Sequence, residues 1–168
     1  NYTYYSKKSY LNSIIPPWTN FLASTPYVVD KTYNKSPHRE SYKLDVQPKE
    51  GKVMLGFTVF PATNTGSLIY VKLDQPTVAN ANYTVSCWKA NSIYSKFINQ
   101  NIYFKFTNVP YKVISNREKY IFQTLKSKQS EPIELKKWQH LKTDYKVDSV
   151  YNYLVIGSCY VPSDYQTS

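Results

Sequence analysis

Glycine, methionine, cysteine, histidine and arginine are all scarce in this chain of 168 residues, which holds four Gly, one Met, two Cys, two His and two Arg. Each shortage excludes something. So few glycines rule out a collagen-like repeat. The two cysteines, Cys87 and Cys159, cannot build a disulfide scaffold, and they stand in no C-x-x-C spacing of the kind metal sites use. No apolar run is long enough to cross a bilayer as a helix. What the chain does have is 18 Tyr, seven Phe and three Trp, a formal charge of +10 and a mean hydropathy of −0.52. A chain this aromatic is not disordered. Its length suits one domain, spanning 1–168, which can bury about two-thirds of the surface its unfolded form exposes.

The hydrophobic period is two. In Asn101 to Thr107, Ile102, Phe104 and Phe106 fall on one face, and Tyr103, Lys105 and Thr107 on the other. That is the pattern of a half-buried strand. Comparable runs occupy Val53 to Phe60, Ser67 to Leu73, Asn82 to Lys89, Lys119 to Leu125, Trp138 to Val147 and Tyr151 to Val161. Pro, Asn, Asp, Ser and Gly punctuate them at intervals of about eight to fifteen residues, the rhythm of an antiparallel sandwich or barrel rather than of βαβ units. The one helical candidate is Asn91 to Asn99, where Ile93, Phe97 and Ile98 fit a turn or two. Residues 1–50 read as a loop-rich opening in which Pro16 and Pro17 impose an extended lead-in to Trp18; the main strands lie in 51–161. The expected fold is all-β.

Catalytic chemistry has little support. His38 and His140 are far apart, and no motif links either to a nucleophile. His38 reads as a solvated loop residue and His140 as a strand residue. A Ser-His-Asp triad assembles in space and leaves no linear trace, but nothing in the sequence argues for one. The carboxylates Glu131, Glu134, Asp144 and Asp148 are embedded among lysines and read as a mixed-charge exposed face rather than as a glycosidase pair. No metal site is nominated; one structural calcium held by carbonyl oxygens would leave little sequence trace. Lysine interleaved with aromatics, as in Tyr103-Phe104-Lys105-Phe106 or Tyr111-Lys112, would suit a single-stranded nucleic acid. The lysines are spread along the whole chain, however, and Arg39 and Arg117 are the only arginines. A Lys-rich solvated coat with no specific nucleic-acid partner is the better account.

The segment Pro17-Trp18-Thr19-Asn20, followed by Ser24-Thr25-Pro26-Tyr27, resembles the opening of a β-sandwich domain common in Bacteroidetes surface proteins. These are galactose-binding-like jelly-rolls that often sit beside OmpA-like or gliding-motility-associated modules. The likeness continues in order through Gly51 to Phe57, Leu73-Asp74-Gln75-Pro76, Tyr83 to Trp88, a strand-opening Trp138, and Tyr153-Leu154-Val155-Ile156-Gly157-Ser158-Cys159. It departs where Val28 and Val29 follow Tyr27 in place of the family's acid. The family's usual first strand is not evident before Tyr10, and the sequence stops at Ser168, where the family usually continues into a final strand. A sandwich without its edge strands exposes unpaired backbone, so the resemblance implies either a fragment of a longer protein or a partner chain that donates a strand.

The resemblance implies a single jelly-roll domain with no cofactor and no catalysis, in an extracellular, cell-surface or periplasmic setting. Its first expected role is carbohydrate binding through loop aromatics. The alternative is a structural accessory subunit of an envelope secretion, gliding or surface assembly, held by an envelope protein partner; a hydrolase comes third. Trp18, Tyr27 and Trp138 correspond to the family's recurring aromatics and are expected to be structural. Tyr33, Tyr111 and Tyr165 lie in predicted loops and are the expected ligand platform. Both cysteines fall where the family places Phe, which implies either a Cys87–Cys159 bridge between strands or two buried thiols. An oxidising location would permit the bridge.

Overall fold

The computed structural model describes residues 3–5, 16–20, 27–30, 46–57, 59–60, 65–93, 97–99, 101–108, 123–125, 134–158 and 165–167. Fourteen strands and no helix occur among them: β1 (Thr3–Tyr5), β2 (Thr19–Asn20), β3 (Tyr27–Asp30), β4 (Val53–Gly56), β5 (Val59–Phe60), β6 (Thr65–Gly66), β7 (Leu68–Lys72), β8 (Asn82–Lys89), β9 (Phe97–Asn99), β10 (Ile102–Thr107), β11 (Gln123–Leu125), β12 (Gln139–Lys146), β13 (Tyr153–Gly157) and β14 (Tyr165–Thr167). Every strand pairing is antiparallel. The all-β expectation holds for this part of the chain.

The central sheet has the order β11-β10-β13-β7-β2, and β8 and β12 form a separate eight-rung ribbon. A three-stranded sheet β1-β3-β4 and the pairs β14-β9 and β5-β6 complete the pairings. One core joins the central sheet to the ribbon. The sheet contributes Ile69, Ile102, Phe104, Phe106, Leu125 and Ile156, and the ribbon contributes Val85 and Leu141. Val53 and Leu55 of β4 pack against the same cluster, as does the half-buried Trp18. Phe104, fully buried, meets Phe106 edge-on at 6.1 Å and 84°, and Tyr145 of the ribbon at 5.6 Å and 88°. Such T-shaped contacts suit the quadrupoles of aromatic rings.

Several expectations need correction. β10 is not half-buried. Tyr103 and Thr107, on the face opposite Phe104, are 6% and 8% exposed. The strand lies between β11 and β13 with both faces covered, which alternation alone does not distinguish from a strand with one wet face. The Tyr103 to Phe106 run is therefore core and not a surface stacking platform. The described residues of the Asn91 to Asn99 helical candidate are not helical: Asn91 bridges to Leu135 and residues 97–99 form β9. Phe97 and Ile98 are residue types that suit strands as well. The loop-rich opening carries β1, β2 and β3, so a strand does precede Tyr10. Pro16 and Pro17 form a turn with a cis peptide bond instead of an extended lead-in.

Candidate functional site

Strand alternation in the ribbon sorts its side chains sharply. On β8, Tyr83, Val85, Cys87 and Lys89 point inward, while Asn82, Thr84, Ser86 and Trp88 are exposed. On β12, Leu141 and Tyr145 face the core, and His140, Lys142, Asp144 and Lys146 are exposed. The register sets Trp88 opposite His140, Ser86 opposite Lys142, Thr84 opposite Asp144, and Asn82 opposite Lys146. Trp88 is 47% exposed, a large ring on an otherwise polar strip. Its ring centroid is 4.8 Å from that of His140 with the planes 31° apart, and the Lys49 ammonium lies 4.5 Å from the indole centroid. A cation over an indole is favourable by about 0.5–1 kcal/mol at an exposed site.

Segment 46–50 is held beside this strip from both sides. Val46 is buried, and the Trp138 indole N–H donates to the Gln47 carbonyl at 2.9 Å. Trp138 is thus half-buried and tied to backbone. Its bond fixes Gln47 two residues before Lys49, which places the ammonium at the ring. Gly51, at φ 67°, then turns the chain into β4. A left-handed residue there favours glycine. Further along the strip, the Thr84 hydroxyl donates to Asp144 Oδ1 at 2.5 Å. The strip therefore offers one stacking surface, several ammonium groups and hydroxyls within a few rungs.

On the inner side of β8 lies an unusual pair. Lys89 is only 9% exposed, whereas seven of the nine described lysines are exposed. Burial pushes the Lys89 ammonium down to about 8, an effect partly offset by Cys87, and burial pushes the Cys87 thiol up to about 11, partly offset by Lys89. Both stay in their neutral-favouring environment because the ribbon packs on the sheet. A folded-state value below the unfolded value of about 10.4 means that the native state loses its proton first, so stability rises with pH between about 8 and 10.4 and the cost of charged Lys89 is full below about 8. Relative to Lys89→Met, the wild-type chain is therefore expected to be weakest below pH 8 and to recover about 3 kcal/mol by about pH 10.4. Urea unfolding of both chains across that range checks it, and a constant gap would contradict it.

The opposite end of the ribbon is a hydrogen-bonded knot of loops. The Thr77 hydroxyl donates to the Ser149 carbonyl at 3.1 Å and accepts from the Tyr151 amide at 2.8 Å. The Thr77 amide donates to the Tyr151 carbonyl, and Asn80, at φ 65°, donates its amide to the Val147 carbonyl. Asn108 joins the same end, donating to the Val150 carbonyl at 2.7 Å and accepting from the Asn152 amide at 3.1 Å. Tyr151 donates its hydroxyl to Asp148 at 2.6 Å, and that bond holds the phenol up at about 12. Val78 and Val150 are exposed there at 63% and 47%.

Tyr33 and Tyr111 lie outside the described residues, as do His38, Arg39, Arg117 and Glu131. Tyr165 is not in a loop: it opens β14 and pairs with Asn99. Its Tyr-Gln-Thr run is strand-favouring, with turn-forming Pro162, Ser163 and Asp164 before it. Tyr27 opens β3 opposite Gly56. Cys87 is a free thiol, and Cys159 lies outside the described residues. Glu134 pairs with Lys137, and Asp144 and Asp148 are exposed, in keeping with a mixed-charge face. Among the described residues no group of three His, Cys, Asp or Glu could hold a metal ion, and no helix is long and apolar enough to cross a membrane.

Sequence reasoning missed Trp88. The signal was present: in NYTVSCWK the inward set is Tyr83, Val85 and Cys87, which leaves Trp88 on the polar face of the alternation. Comparison with protein-family models, with curated proteins and with solved structures returns no match in any of the three.

Proposed function

We propose that the chain is a non-catalytic carbohydrate-binding module on a galactose-binding-like jelly-roll, working in an extracellular, cell-surface or periplasmic setting of the kind its sequence resemblance implies. Trp88 carries this reading. An exposed, partly immobilised indole on a polar face is the surface on which the apolar C–H face of a pyranose stacks, and the flanking Ser86, Thr84 and Lys142 supply hydroxyl-directed hydrogen bonds. The strand scaffold fixes the ring before a ligand arrives, which reduces the ordering cost of binding. In this reading the ligand platform is the ribbon face.

A glycan array run at low and at raised salt tests the reading. Salt-insensitive binding to a defined sugar is expected from the wild-type chain. Trp88→Ala is expected to weaken it about thirtyfold, the loss that follows from truncating a central aromatic anchor. Since Trp88 is half-exposed, the variant is expected to fold, which an unchanged circular dichroism spectrum would verify.

The second reading is an accessory subunit of an envelope secretion, gliding or surface assembly. It is favoured by Val78 and Val150, two exposed apolar side chains on the hydrogen-bonded loop end. Absence of sugar binding together with a copurifying envelope protein lost on Val150→Asp would favour it over the first.

A further inference from the structure

We propose that the outer strip of the β8–β12 ribbon selects acidic polysaccharide, a chain of uronic-acid type, with Lys49, Lys142 and Lys146 meeting its carboxylates while Trp88 stacks beneath a sugar ring. This rests on the sugar-binding reading and adds the ligand class. Four outward rungs run from Trp88/His140 through Ser86/Lys142 and Thr84/Asp144 to Asn82/Lys146. Successive rungs are two residues apart, about 6.5–7 Å, so the strip is about 20 Å long, matched to several linked sugars rather than one. Its rungs carry the ammonium groups of Lys142 and Lys146 against the carboxylate of Asp144, and segment 46–50 adds Lys49, over the indole, with the exposed Glu50 next to it in the chain. The Asp144 carboxylate is already engaged by the Thr84 hydroxyl at 2.5 Å. Among the described residues the ion pair present is Lys137 with Glu134, so none of the three strip lysines is held by a described acid.

The placement of Lys49 favours a charged sugar over a neutral one. Its ammonium lies over the indole face, 4.5 Å from the centroid, so a sugar ring that stacks on that face displaces it towards the sugar's own substituents. A carboxylate there gains a partner, whereas a neutral sugar only displaces a favourable cation. Single-stranded nucleic acid would also feel the positive strip. Nucleic-acid platforms, however, stack successive bases on several rings, and beyond Trp88 and His140 the rungs hold Ser, Thr, Asn, Lys and Asp with no further aromatic.

Calorimetric titration of the full chain tests the inference with oligogalacturonate, oligomannuronate and hyaluronan oligosaccharides, each beside its carboxyl-reduced neutral twin, and with oligothymidylate. At least one acidic oligosaccharide is expected to bind about tenfold more tightly than its neutral twin, with the preference shrinking as salt is raised. Lys49→Gln is expected to weaken that acidic ligand about three- to fivefold. Lys72→Gln, which removes the same charge from the exposed end of β7, is expected to change nothing. Equal binding of acidic and neutral twins overturns the acidic preference and leaves sugar binding standing. Equal losses in the two lysine variants also overturn it, because the attraction would then be to net charge alone. Tighter binding of oligothymidylate overturns it in favour of nucleic acid, and binding to none of the glycans, here or on the array, overturns the sugar-binding reading itself.

Discussion

Phe104→Ala is expected to destabilise the fold by about 3–5 kcal/mol, enough to unfold a domain of ordinary stability at modest denaturant. Phe104 has no exposed surface, sits in the strand buried on both faces, and joins the central sheet to the ribbon through its edge-to-face contact with Tyr145. Truncation removes the transfer free energy of the ring and leaves a cavity that β10 cannot move to close, because its backbone is paired on both sides, to β11 and to β13. Phe104→Leu keeps most of the volume and is expected to cost clearly less. Urea unfolding of the two variants reads the difference as a shift in midpoint at constant slope. A midpoint for Phe104→Ala within error of wild type would show that the sheet and ribbon do not share one core.

The second large effect is expected from a single methyl group. Gly157→Ala would place a Cβ 2.1 Å from the Ser67 carbonyl oxygen and 2.9 Å from the Leu68 α-carbon. Alanine is intrinsically better than glycine in a strand interior by about 0.5–1 kcal/mol, and at this site sterics overwhelm that preference. The obstructing atom is backbone, and it is not free to move: the Ser67 carbonyl accepts the Ser158 amide at 3.0 Å, and Leu68 is the register partner of Gly157. Relief requires β7 and β13 to separate at their ends, with an expected loss of about 3 kcal/mol or more. A thermal midpoint equal to wild type would contradict it, and the comparison substitution Gly51→Ala separates the two kinds of glycine. At Gly51 nothing lies within 4 Å, so the penalty there comes from φ 67° alone.

Much of the strand layout was legible because it depends on local chemistry. Asn82 to Lys89 matches β8 residue for residue, and Trp138 to Val147 overshoots β12 by one residue at each end. Both are strands with one wet face, where alternation and burial coincide. β10 is the informative miss. Its alternation is real, but whether Tyr103 and Thr107 meet water or protein depends on what covers the second face, which no local pattern encodes. The short strands β2, β5 and β6 span two residues each and carry no periodicity at all. The candidate site was half legible. Trp88 is outward by its own strand's alternation, yet its cross-strand neighbour His140 lies 52 positions away, and the Lys49 contact depends on a bond from Trp138 to Gln47 across 91 positions. Such juxtapositions are set by register and loop path.

Because the Thr77 hydroxyl is donor to one loop and acceptor from the same loop two residues on, segments 73–81 and 147–152 cannot be lengthened independently of each other. This bears on how the molecule can be engineered. New termini or a grafted peptide placed in either segment would unlatch Tyr151 and the Asn80 turn together, although Pro, Asn and Asp there give the look of permissive loop. The exposed turn at Gly51, with open space around its α-carbon, is where the described part of the fold offers a seam for an inserted segment, two residues downstream of the lysine that rests on Trp88.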